Sequence, residues 1–309
     1  MSQPFERLSG KRILITGASG FIGAHLTRRL AGLGIEVHAV SRTAQDESHW
    51  PVGVKWYVCN LENREETNSL FRSLRPDIVY HLSGLASGRS EMDYILPTFY
   101  SLAVSTVHVL TAATELGCQR ILVPGSFEEP NPQANEWVPG SPYAAAKYVG
   151  SQYAQMFHQL YGTPVVLPIP FMTYGPGQPR FKLIPSVIES LLEGRNPELA
   201  SGKRKIDWIY IDDMVEGFVA GAYTEGIEGK RIDLGSGVVH SIQEVVSRLC
   251  AIVNPDIVPR FGAIEDRFME KTQIANVEDT LRQLEWKPVV RLQEGLERTV
   301  EWMRSTRIR

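Results

Sequence analysis

Tyr143 and Lys147 stand four residues apart in SPYAAAK, residues 141–147, and Ser126 lies 17 residues before the tyrosine. On a helix a four-residue step puts two side chains on one face. A phenol with a pKa of about 10 is a poor catalyst at neutral pH unless its surroundings stabilise charge. An ammonium one turn away does that, and a hydroxyl at the end of a strand can hold an oxygen that gains or loses charge. The three side chains therefore suit proton transfer coupled to hydride transfer, with Tyr143 as acid, Ser126 orienting the reacting oxygen and Lys147 supplying positive potential. Taken singly, each has an ordinary explanation: a packed aromatic, a solvated helix lysine and a turn-forming serine.

Hydride transfer needs a carrier, and GASGFIG, residues 17–23, follows the apolar run ILIT and precedes AHLTRRL. Strand, glycine turn and helix in that order form a dinucleotide-binding unit. Gly17 can make the turn, Gly20 lets the backbone approach a pyrophosphate, and Gly23 permits close helix–strand contact. Ser19, Phe21 and Ile22 belong to the turn and the first residues of that helix, whose N-terminus attracts phosphates. At the end of the second strand, EVHAV, where a carboxylate would hold the ribose of NAD, the chain carries Ser41 and Arg42. A hydroxyl and a guanidinium favour the extra phosphate of NADP, so NADP(H) is the expected cofactor and NAD(H) the alternative. Asn60 and Leu61 after the third strand, Leu82, Ser83 and Gly84 after the fourth, and Pro170 complete the expected cofactor lining with Tyr143 and Lys147.

The elements that must carry these residues alternate. Ile13 to Ile15, EVHAV, VKWYV, DIVYHLSG, RILVPGS and PVVLPIP read as strands. The segments around Leu26 and Leu30, around Leu70 and Leu74, from Thr98 to Glu115, and from Pro142 onward read as helices. This alternation predicts an α/β fold, a Rossmann-like parallel sheet covered by helices, because each crossover must bury an apolar helix face. After Pro170 the alternation weakens. YGPGQPR reads as loop, FKLIPSVIESLLEG as helix, KIDWIYI as a strand entering a helix near Asp212, and RIDLGSG as strand and turn. The expected division is 1–168, mainly the NADP-binding Rossmann domain, and 169–309, mainly a smaller substrate-binding lobe, with crossing segments near 206–236.

Composition narrows the function classes. A formal charge of -3 with mixed signs gives no general attraction to nucleic acid or to an anionic membrane. The three cysteines show no CxxC spacing and read as free thiols, and the seven histidines are dispersed, so no metal site is expected. Asp212 and Asp213 fit a helix entrance better than a carboxylate pair doing chemistry. The opening MSQPFERLSGKR has no apolar leader core, and no stretch reads as the roughly 20 apolar residues that span a bilayer. The expectation is a soluble cytoplasmic protein.

GASGFIG, the Ser126 strand end, SPYAAAK, YGPGQ at 174–178 and YIDDMVEG at 210–217 together resemble the extended short-chain dehydrogenase/reductase family over nearly the full length. The resemblance implies that Ser126, Tyr143 and Lys147 are the catalytic trio and that the C-terminal lobe holds a nucleoside diphosphate sugar. It also implies a homodimer joined through two long helices per chain, here Thr98 to Leu116 and Tyr143 to Tyr161. Three positions depart from the common epimerase pattern: Pro168 and Ile206 where relatives often carry arginine, and Phe171 where asparagine is frequent.

The distal segment FGAIEDRFMEKTQIANVEDTLRQLEWKP resembles a stretch of bacterial nucleotide-sugar 4-ketoreductases. That likeness implies NADPH-dependent reduction at C4 of a nucleotide-linked 4-keto-6-deoxy sugar. Ser126, Phe127, Glu128, Phe171, Arg180, Trp208 and Arg267 are the candidate substrate contacts, the two arginines as partners of a diphosphate. Alternatives stay open. An NAD-dependent 4-epimerase would sit better with an acid near Arg42, and a 4,6-dehydratase needs further acid/base chemistry, for which Glu128 is a candidate base although Phe127 replaces an acid beside it. A redox-inactive NADP-binding regulatory protein is the remaining alternative, and it would leave the trio without use.

Overall fold

In a computed structural model of the chain, the described residues are 4–131, 135, 137–266 and 272–307. A short helix α1, Pro4–Leu8, precedes β1, Ile13–Thr16, all four of whose residues are buried. The glycine turn leads into α2, Phe21–Gly32, then β2, Val37–Ser41, and β3, Val54–Val58. Helix α3, Arg64–Leu74, starts where the Asn63 side chain accepts the N–H groups of Glu65 and Glu66, and β4 is Ile78–His81. Helix α4, Ile95–Thr98, passes through a π-helical turn, Phe99–Val104, into α5, Ser105–Leu116. Strand β5, Arg120–Leu122, helix α6, Pro142–Tyr161, and strand β6, Val165–Pro170, follow.

Beyond Pro170 come β7, Met172–Tyr174, α7, Leu183–Leu192, β8, Glu198–Leu199, and β9, Lys205–Tyr210. Next are α8, Ile211–Tyr223, β10, Arg231–Leu234, β11, Val239–Ser241, and α9, Ile242–Val253. Strand β12, Arg260–Phe261, and helices α10, Val277–Leu284, and α11, Leu292–Arg307, complete the order.

The chain divides into two compact units. The first comprises Met1–Pro170, Val215–Asp233 and Asp279–Trp286. Its sheet has the order β3-β2-β1-β4-β5-β6-β10, with the β3 to β6 neighbours paired in parallel. Both faces are covered, so β1, β2, β4 and β5 are buried throughout. Leu14, Val79, Ile121 and Val165 of the strands pack with Phe71 of α3, Leu110 and Ala113 of α5 and Phe157 of α6. The strand order reverses between β1 and β4, and in such sheets the crevice beyond the carboxyl ends of the strands at that point is where ligands bind.

The second unit comprises Phe171–Met214, Leu234–Glu278 and Lys287–Arg309. A three-stranded sheet, β11-β9-β7, joins an antiparallel pair to a parallel one, and β12 pairs with β8. Asp207 of β9, 1% exposed, accepts the backbone N–H groups of Ser236, Gly237 and Ala275 at 2.7, 2.9 and 3.0 Å. One buried carboxylate thereby anchors two loops.

Two readings of the sequence need correction. The helix expected from Thr98 to Glu115 is interrupted by the π-helical turn, where each bond reaches one residue further and the helix face is re-aimed. The helical run Met92–Leu116 is also long and apolar enough, by length and composition, to cross a membrane, contrary to the expectation that no such stretch exists. Half of its apolar window is buried within the protein, with Leu102, Ala103, Val109 and Leu110 at most 4% exposed. Val109 and Leu110 pack on the sheet and Leu102 and Ala103 against Ala146 of α6, which accounts for the buried half of that apolarity.

Candidate active site

Ser126 follows β5 on a segment that still pairs with the β6 strand, since the Gly125 N–H donates to the Pro168 carbonyl at 2.9 Å. The chain then turns back: the Glu129 N–H donates to the Ser126 carbonyl at 3.1 Å, and the Glu128 N–H donates to Ser126 Oγ at 3.2 Å. Ser126 is 4% exposed and holds a hydrogen bond with the Tyr143 hydroxyl. Phe127 and Glu128 are half-buried in the same turn.

Helix α6 begins at this point because Ser141 caps it, accepting the Ala144 N–H at 3.1 Å, and because Pro142 occupies a first-turn position that lacks an N–H partner anyway. Tyr143 lies in that first turn and Lys147 one turn later. Lys147 Nζ donates to the Pro124 carbonyl at 2.9 Å, two residues before Ser126. Strand end and helix thus bring serine, tyrosine and lysine together, as their spacing suggests.

The charges are tuned by the surroundings. Burial raises the Tyr143 phenol above its ordinary range, partly offset by the hydrogen bond from Ser126 and reinforced by Glu128 and Glu129. Burial pushes Lys147 down to about 8, against the attraction of Glu129. His81, the last residue of β4, bonds Thr16 Oγ1 through Nδ1 at 2.9 Å and Thr106 Oγ1 through Nε2 at 3.0 Å. Burial and then the Lys147 charge push it down to about 3, so it stays neutral at the floor of the site.

The glycine turn has little room to spare. Gly17 has φ 67°, and a Cβ there would fall 2.6 Å from the Ser83 nitrogen. At Gly23 a Cβ would fall 2.1 Å from the Gly17 carbonyl oxygen. Gly20 opens α2 with no side chain capping the first turn, which Phe21, Ile22 and Gly23 begin. A cavity of about 200 Å³ is lined by Gly17, Ser19, Gly20, Ser41, Arg42, Asn60, Leu61, Leu82, Ser83 and Gly84. Cys59, Ser101 and Ser105 also line it and were not singled out from the sequence. The uncapped helix terminus and the glycine-rich turn fit a pyrophosphate. Pro170 ends β6 and is not among the lining residues.

At the ribose end the two candidates differ. Ser41 Oγ already donates to the Thr43 carbonyl at 2.5 Å, which commits its proton. Arg42 is exposed and forms no ion pair among the described residues. In the second unit Phe171 and Trp208 are both 5% exposed, and Trp208 Nε1 donates to the His240 carbonyl at 3.3 Å. Arg180 pairs with Glu189 at 2.7 Å beside a separate cavity of about 280 Å³ that Trp302 and Arg307 help to line. Arg267 lies outside the described residues.

Residues 13–235 match the NAD dependent epimerase/dehydratase family. The chain belongs to that family. Among relatives of this chain, the UDP-glucose 4-epimerase of Mycolicibacterium smegmatis is 28% identical over 95% of this chain and 99% of its own length. A dTDP-glucose 4,6-dehydratase of Streptomyces griseus is 30% identical, covering 96% of this chain and 94% of the relative. The fold also matches a crystal structure of the UDP-glucose 4-epimerase of Thermotoga maritima, with a TM-score of 0.87, 23% identity, and coverage of 96% of this chain and 99% of that one. The chain is therefore an enzyme of a pyridine-nucleotide-dependent epimerase/dehydratase type, on a Rossmann-like fold.

Sequence reasoning passed over His81 and Glu129. His81 had a weak signal, a lone polar ring closing a buried strand; Glu129 had none, because nothing local shows which strand or helix a loop carboxylate will meet.

Proposed function

We propose that the enzyme moves hydride and proton at C4 of a nucleotide-linked hexose, with the C4 alcohol and C4 ketone as the two states of the substrate. The observation that carries this is the Ser126–Tyr143 hydrogen bond with Lys147 one turn on, beside a dinucleotide crevice. The relatives named as UDP-glucose 4-epimerase and dTDP-glucose 4,6-dehydratase support oxidation at C4 as the first event, completed by return of the hydride.

Gly17, Ser19, Gly20 and the first turn of α2 would hold a pyridine nucleotide, which would supply the acceptor or donor of hydride. The chain's own residues manage the proton. Tyr143 exchanges it with the oxygen on C4, and Ser126 holds that oxygen by its hydroxyl. Lys147, while protonated, stabilises the phenolate that forms when Tyr143 has given its proton away. For dehydration Glu128 would be the base near C5, with Phe127 beside it offering no acid.

A second reading, NADPH-dependent reduction of a 4-keto-6-deoxy sugar, draws on two observations. Arg42 faces the ribose end of the cavity in place of an acid, and Tyr143 is held as a neutral phenol ready to donate. Arg180 and Arg267 remain the proposed diphosphate contacts, and two chains are proposed to pair through the Met92–Leu116 run and α6.

The test is a panel. Purified enzyme is incubated with UDP-glucose, UDP-glucuronate and dTDP-glucose with NAD⁺ or NADP⁺, and with a dTDP-linked 4-keto-6-deoxyhexose and NADPH, and products are read by NMR. Inversion at C4 or a 4-keto product supports the first reading. Consumption of NADPH with a C4 alcohol formed supports the second, and no turnover of any sugar refutes both.

A further inference from the structure

Glu129 is the most deeply buried carboxylate near the trio, its side chain 1% exposed. It makes three bonds to three different parts of the first unit. Oε1 accepts the Ser126 backbone N–H at 2.8 Å and Ser151 Oγ at 2.8 Å, while Oε2 accepts from Arg231 Nη1 at 2.8 Å. Ser151 is on α6, four residues past Lys147 and eight past Tyr143, so it shares their face of the helix. Arg231 is on β10, the edge strand of the sheet. The sequence even leaves space for the carboxylate: a Cβ on Gly125 would fall 2.8 Å from Glu129 Oε1 and 2.6 Å from Ile169 Cδ1.

We infer that Glu129 is the positioning residue of this enzyme, a charged clamp that fixes the Ser126 turn to the helix carrying Tyr143 and Lys147 and that Arg231 holds in place from the sheet edge. The inference rests on the proposed roles of Ser126, Tyr143 and Lys147. Glu129 does not touch the reacting atoms. It acts by geometry, because Ser126 Oγ and the Tyr143 hydroxyl must converge on one oxygen, and a shift of about 1 Å in such a pair costs on the order of 100-fold in rate. It acts also by charge. The titratable groups around Lys147 are Tyr143 one turn back on its own helix, Glu129 from the turn and His81 from β4; of these Glu129 is the one whose charge favours the ammonium, beside the Pro124 carbonyl that accepts its hydrogen bond.

The test compares wild type with Glu129→Gln. The amide keeps the volume and an acceptor for Ser126 but loses the charge and turns an NH₂ toward Arg231. A Glu129→Gln/Arg231→Met double variant removes that donor clash and serves where the single variant folds poorly. Expected are a kcat lower by roughly 10- to 100-fold with KM and cofactor Kd within about twofold, and an alkaline limb of the pH–rate profile displaced to lower pH.

Independently of any sugar, the Lys147 resonance in protein carrying ¹³Cε-lysine, assigned through Lys147→Met, should titrate at lower pH in Glu129→Gln than in wild type. A variant that loses only thermal stability, with wild-type kcat and an unmoved Lys147 midpoint, overturns the inference. If wild type turns over none of the sugars, the proposed function fails by itself, and the Lys147 midpoint decides this inference alone.

Discussion

At the scale of single residues, the site depends on which group holds a proton at which pH. Tyr143→Phe keeps the ring and removes the hydroxyl, so folding and cofactor binding should survive while turnover falls by roughly 100-fold or more, the scale of a lost acid catalyst. Circular dichroism and calorimetric titration with NAD⁺ and NADP⁺ separate that loss from misfolding. Lys147 is depressed to about 8, so its positive charge is present below that pH and lost above it; turnover should therefore decline as pH rises through about 8. A pH–rate profile flat to pH 10 would contradict a role for the ammonium.

Arg42→Ala should weaken NADPH much more than NADH, since only the phosphorylated ribose offers a partner for the guanidinium. Equal losses in calorimetry would remove Arg42 from cofactor choice. Ser41, whose proton is already given to Thr43, should contribute little to a phosphate as donor.

At the scale of elements, what was legible in the sequence was what is local. GASGFIG, SPYAAAK and the alternating apolar runs each encode a turn, a cap or a buried strand within a few residues, and β1, β2, β4 and α6 appear where those patterns place them. The π-helical turn was not legible, because FYSLAV has the composition of any apolar helix and only the packing shows the slip. Leu102 lies within that turn, and a Cβ on Gly84 would fall 2.0 Å from Leu102 Cδ2, so the turn and the Gly84 loop are matched to each other across 18 residues of chain.

Glu129 was illegible for the same reason, as two of its three partners, Ser151 and Arg231, lie 22 and 102 residues away. The local signals carry their own prediction. Gly23→Ala would drive a Cβ against the Gly17 backbone, which cannot rotate away, so the turn should open and cofactor affinity collapse with a loss of about 1–3 kcal/mol in stability. Ser141→Ala removes only a cap, costing about 1 kcal/mol, and thermal melts should rank the two.

At the scale of the whole molecule, the question is what covers the outer side of the helices that line the first unit. Leu96, Phe99 and Tyr100 on the run leading into α5 are 61, 42 and 46% exposed, and Tyr153 and Tyr161 on α6 are 41 and 59% exposed. The π-helical turn and α5 both pack against α6, so these side chains belong to neighbouring helices of one layer. Exposed apolar surface of this kind is expected to be covered, and burying it yields about 25 cal/mol per Å². A net charge of -3 sets little repulsion against a second copy.

Pairing through this layer should therefore give a particle of twice 34.6 kDa in sedimentation equilibrium. A Leu96→Glu/Tyr153→Glu variant places four carboxylates in that interface, two from each chain, and should sediment as a monomer. Neither position lines the cofactor cavity, so NADP⁺ or NAD⁺ affinity should remain within about twofold, since desolvating charges at the interface acts on association alone. A wild-type chain that stays monomeric at tens of micromolar would refute pairing, and a charged variant that still dimerises would show that another surface joins the chains.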